Sequence, residues 1–139
     1  MKTNFSFHHV ALSVSDLGLA QAFYRRFGFH TLLEWQSEDG DLAIAQMKLG
    51  EMILELFCFA ANHGRMPATE PLWDNLQQTG PRHFALQVDD LEAALDELIV
   101  EGLAPTDATI TEGKTGIRYL FIRDPDGNFI EIAEDRRFT

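Results

Sequence analysis

The stretch "HVALSVSDL", opening at His9, returns as "HFALQVDDL", opening at His83. A shift of 74 residues (83 − 9) lays Ala11 on Ala85, Leu12 on Leu86, Val14 on Val88, Asp16 on Asp90 and Leu17 on Leu91. The same shift lays Ala20 on Ala94 and Gly28 on Gly102. Self-similarity at a fixed spacing constrains a fold more than composition does, because each copy must make the same unit.

Each copy reads as a strand followed by a helix. Over residues 7–14, Val10, Leu12 and Val14 point one way while His9, Ala11 and Ser13 point the other. Ser15 or Asp16 can cap a helix whose face carries Ala20, Phe23, Tyr24 and Phe27 at i, i+3, i+4 and i+7, and Gly28 suits its C′ position. In the second copy Phe84, Leu86 and Val88 oppose His83, Ala85 and Gln87. Asp90 can cap, the helical stripe is Leu91, Ala94, Leu95 and Leu98, and Gly102 ends it. Strand-like segments follow at 30–36, 42–48 and 51–59, and again at 107–111, 117–123 and 128–134. The turn "DPDGN" separates the last two. The chain is therefore predicted to be a single α+β domain over 1–139 built from two βαβββ modules, about 5–59 and 82–134. A connector over 60–81 holds a short helix in "PLWDNLQQ" opened by Pro71.

The repeat also places charge where a strand should be apolar. Glu55 in "MILELFCF" corresponds to Glu131 in "NFIEIA", a shift of 76 (131 − 55). Period two gives Glu55 a face with Ile53 and Phe57, and gives Glu131 one with Phe129 and Ala133. The leucines and isoleucines between them turn to the helices. A strand glutamate alone is best read as an exposed edge residue, and a lone histidine as structural. Two histidines and two carboxylates recurring at matched places, all averted from the helices, read differently. If the duplicated sheets curl together, His9, Glu55, His83 and Glu131 supply two imidazoles and two carboxylates to one cavity. That N/O set without thiolate suits one divalent transition metal. Alternation sends His8 to the other face, and its counterpart is Arg82, so it reads as structural; His30 and His63 fall outside the repeat and receive no role.

Composition narrows the partners. The net charge of −11 opposes binding to nucleic acid or to an anionic membrane, since both need a basic face. The N-terminal "MKTNFSFHHV" has no apolar run suited to a signal peptide or membrane span. Cys58 is the single cysteine, so no intrachain disulfide forms, and a cytoplasmic location fits.

With these residues in view, the chain resembles the vicinal oxygen chelate superfamily, which includes glyoxalase I, bleomycin-resistance proteins and extradiol dioxygenases. The resemblance covers about residues 5–134 and rests on "HHVALSVSDL", "FYRRFGF", "RHFALQVDDL" and "RDPDGNFIEI". It implies a cupped, barrel-like mixed sheet with helices on its outer face, a homodimer, and His9, Glu55, His83 and Glu131 as ligands of a divalent metal (Zn, Ni, Mn, Co or Fe). The four-ligand pattern is nearest to bacterial glyoxalase-I-like proteins. It implies a lyase or isomerase acting on a small oxygenated substrate, with Glu131 as the proton-transferring base. An Fe(II) dioxygenase needs one carboxylate fewer, and a bleomycin-sequestering protein lacks the ligand set. Bacterial-type glyoxalase I carries an arginine and an asparagine for glutathione where this chain has Ser13 and Phe59. The resemblance therefore extends to the metal centre and not to the glutathione pocket.

Overall fold

The computed structural model describes residues 1–62, 64 and 70–137. His63 and part of the connector lie outside the described residues. The chain divides into two compact units, Met1–Arg65 and Met66–Thr139. Their elements run β1 (His9–Ser13), α1 (Leu17–Arg25), β2 (His30–Gln36), β3 (Leu42–Leu49) and β4 (Met52–Phe59) in the first unit. In the second they run α2 (Leu72–Leu76), β5 (His83–Gln87), α3 (Leu91–Val100), β6 (Thr111–Glu112), β7 (Ile117–Arg123) and β8 (Phe129–Asp135). The predicted α+β class and both βαβββ modules are present. Among the described residues no helix is long and apolar enough to cross a membrane.

Each unit holds one four-stranded mixed sheet with the same topology. In the first the order is β1-β4-β3-β2 and in the second β5-β8-β7-β6. The first strand of each module joins the last in parallel, and the remaining pairs are antiparallel. The registers repeat as well: Ala11 lies against Glu55 in one sheet, and Ala85 against Glu131 in the other.

The helices form where caps and periodicity place them. The Asp16 carboxylate accepts from the Leu19 amide and the Asp90 carboxylate from the Ala93 amide, both at 2.9 Å. Each satisfies an amide that the first helical turn leaves unpaired. At the far ends, Gly102 N–H donates to Ile99 O and Leu103 N–H to Leu98 O. Gly28 N–H likewise donates to Arg25 O and Phe29 N–H to Tyr24 O. This paired closure needs a left-handed residue, and Gly28 and Gly102 have φ of 96° and 71°. Helix α1 buries Ala20, Phe23 and Tyr24, and the helix-facing side of its sheet buries Ala45, Met47, Leu54 and Leu56. In the second unit Leu91 and Leu98 of α3 are buried, as are Leu86, Leu120, Ile122, Ile130 and Ile132 of the sheet. Burying each such aliphatic side chain contributes about 1.5–3 kcal/mol.

Two local departures have physical causes. The strand expected over 107–111 is reduced to Thr111–Glu112 because the chain turns after Pro105, with Ala108 N–H donating to Pro105 O. Strand β2 contains a bulge between Thr31 and Leu33, which breaks simple alternation. Beyond the bulge, Leu33 pairs with Gln46 and Trp35 with Ile44. Leu33 and Trp35 therefore share the sheet face of Glu55, while Glu34 turns to the helix side and accepts from Gln21 at 2.7 Å.

Candidate metal centre

Strand register brings the predicted residues together in pairs. In the first module His9 stands on β1 and Glu55 on the neighbouring β4, both on the face averted from α1. His9 Nε2 lies 3.6 Å from Glu55 Oε1. In the second module His83 of β5 and Glu131 of β8 repeat the arrangement, with Nε2 3.0 Å from Oε2. The carboxylates are mostly shielded, with side chains 16% and 17% exposed, whereas the imidazoles remain more accessible. The pairs lie in separate compact units. Among the described residues, no group of three or more His, Cys, Asp or Glu side chains is arranged so as to hold a metal ion.

The donor set fits a divalent transition metal. Two donors, each about 2.1 Å from a cation at ordinary coordination angles, stand roughly 3.0–3.4 Å apart. The second pair falls within that span and the first just beyond it. An imidazole nitrogen next to a carboxylate oxygen, with no thiolate, matches the preference of the borderline divalent ions.

The two pairs differ in what flanks them. Gln46 of β3 lies opposite Glu55, and its amide Nε2 donates to Glu55 Oε2 at 2.6 Å. The equivalent place opposite Glu131 is Phe121 of β7. The Phe121 ring meets His83 edge-on at 4.9 Å between centroids, and Phe121 also contacts Tyr119 and Phe129. Glu55 is thus held by an amide donor, and Glu131 by His83 within an aromatic wall. The turn before β8 is firmly built: Asp124 Oδ1 accepts from the amides of Asp126 and Asn128, and Asp124 Oδ2 accepts from Asn128 Nδ2.

Phe57, Phe129 and Tyr119 all lie on the site face of their sheets. Arg123 lies with its guanidinium 4.0 Å from the Phe129 ring centroid and donates to Gly127 O and Glu70 O. Ser13 and Phe59 occupy the site face of β1 and β4.

His8, expected on the opposite face by alternation, stands just ahead of β1, with its Nδ1 2.8 Å from His9 Nδ1 and the two rings edge to face. Strand β1 begins at His9, so no pleat governs the residue before it. Gln46 and Phe121 were missed. Period two places them on the correct faces, but the cross-strand register that sets them against the glutamates is not written in any local pattern.

The two modules share one βαβββ topology, and each presents a histidine–glutamate pair on the helix-averted face of its sheet. The chain belongs to the Glyoxalase/Bleomycin resistance protein/Dioxygenase superfamily, whose model matches residues 6–132. It is 33% identical to the uncharacterized protein YwkD of Bacillus subtilis over 131 residues, covering 93% of this chain and 96% of that one. It is 31% identical to the uncharacterized protein YaeR of Escherichia coli over 133 residues, covering 91% and 94%. Among solved structures, a glyoxalase family protein from Enterococcus faecalis is 28% identical with a TM-score of 0.73, covering 93% of this chain and 97% of that one.

Proposed function

We propose that the protein is a divalent-metal-dependent lyase or isomerase of the glyoxalase-I-like type, acting on a small oxygenated substrate as a cytoplasmic homodimer. The observation that carries this reading is the matched pairing of His9 with Glu55 and of His83 with Glu131 at one register in both modules. A three-ligand dioxygenase site does not account for the second carboxylate. On this reading His9, His83 and Glu55 would hold the cation, which would supply Lewis acidity toward a substrate oxygen.

The two carboxylates take different roles because their neighbours differ. Gln46 fixes Glu55 in one orientation, which suits a permanent ligand. Glu131 faces Phe121 in place of an amide donor and keeps a histidine partner, so it is the carboxylate able to swing and move a proton. The aromatic rings of Tyr119, Phe121 and Phe129 limit water at that carboxylate.

Elemental analysis of protein supplied with Zn, Ni, Mn, Co or Fe tests the centre. About one metal per chain is expected. Protein that retains none after such loading overturns the reading.

A further inference from the structure

The structure assigns His8 a positioning role: we infer that its Nδ1 accepts a hydrogen bond from His9 Nδ1–H and so presents the bare Nε2 of His9 toward Glu55 and a cation. The inference rests on the reading of His9 as a ligand. The Nδ1–Nδ1 separation of 2.8 Å requires one ring to donate and the other to accept. At His9 Nε2 the nearest carboxylate oxygen is 3.6 Å away, beyond hydrogen-bond length. The other oxygen of Glu55 is already taken by Gln46 at 2.6 Å. The contact with His8 can run in either direction; with Nε2 of His9 read as the ligand atom, the proton sits on Nδ1, so His9 donates and His8 accepts. A neutral imidazole carries its proton on one nitrogen only, so holding it at Nδ1 leaves the Nε2 lone pair open. Edge-to-face packing of the two rings, 5.1 Å between centroids, fixes the plane in which that lone pair points.

The second module has no such device. Arg82 occupies the equivalent place and donates to Gly80 O and Gln78 Oε1. His83 is held instead by Glu131 at 3.0 Å and by the Phe121 ring. Each module thus orients its histidine differently, His9 through Nδ1 and His83 through Nε2.

Three substitutions separate the acceptor from the bulk of the ring. In His8→Asn the amide oxygen stands where Nδ1 stood; in His8→Gln it stands where Nε2 stood; His8→Phe keeps a ring and removes the acceptor. Zn(II) affinity of the full chain, measured by competition with a chromophoric chelator, is expected to fall about tenfold in His8→Phe and His8→Gln and to return to near wild type in His8→Asn. In metal-free protein in alkaline buffer, 15N spectra of labelled histidine should show His9 protonated at Nδ1 in wild type and His8→Asn, and shifted toward Nε2–H in His8→Phe. Unchanged Zn affinity with an unchanged His9 tautomer in His8→Phe overturns the inference. A wild-type chain that binds no Zn(II) overturns the metal centre itself, and the tautomer spectra alone then decide the role of His8.

Discussion

At the scale of single residues, duplication gives two similar histidine–glutamate pairs, and one cross-strand neighbour distinguishes them. Gln46 donates to Glu55, whereas Phe121 stands opposite Glu131. If Glu131 is the base, Glu131→Gln keeps the fold and some metal but lowers turnover by about a hundredfold or more, the usual scale for losing a general base. Glu55→Gln instead weakens metal binding, with activity partly restored by excess metal. Screening 2-oxoaldehyde thiol adducts and 2-oxo or hydroxy acids supplies the assay. Wild-type turnover in Glu131→Gln would reassign the base to Glu55. Gln46→Met removes the amide donor without emptying the face, and metal affinity by chelator competition is expected to fall about tenfold. The four ligand candidates were legible because a glutamate inside an apolar strand is an anomaly, and the repeat shows the anomaly twice. Gln46, Phe121 and the turn of His8 toward His9 were not legible, since they depend on register and on where β1 begins.

At the scale of elements, the periodic patterns carry nearly all of the information. β2 and β7 coincide with the spans read from sequence, and α1 and α3 begin behind the aspartates expected to cap them. Asp90→Ala should cost about 1 kcal/mol in urea unfolding, with an equal slope, because one first-turn amide loses its acceptor. The failures are β6, shortened by a turn, and the β2 bulge, which no composition rule announces. The last strand ends in a charge cluster that the sequence leaves unordered. Arg118 contacts Glu92, Glu112 and the buried Glu134, joining α3, β6 and β8. Close by, the Arg137 guanidinium pulls the Asp135 carboxyl from its ordinary 3.8 to about 2. A carboxyl depressed by folding adds stability that is complete above its unfolded value and disappears as pH falls through the folded one. The thermal midpoint should thus drop between pH 3.8 and about 2, and Arg137→Met should make that drop shallower. An unchanged slope in the variant would assign the acid transition to other groups.

At the scale of the whole molecule, the edges of the sheets matter most. β2 is a seven-residue edge strand with exposed Leu32, Leu33 and Trp35. A long apolar edge invites pairing, and proteins cover such edges. The proposed homodimer would cover such an edge, so sedimentation at micromolar concentration should give twice the 15.7 kDa chain mass. Monomeric mass would leave the edge bare and count against the assembly. The duplicated plan has an evolutionary consequence too. If the copies began alike, the proposed division of roles between Glu55 and Glu131 would trace to the position facing each on the third strand of its module, Gln46 or Phe121. Exchanging those side chains, Gln46→Phe together with Phe121→Gln, should move the proton-transferring task to the other copy, making Glu55 indispensable for turnover and Glu131 the tolerant partner.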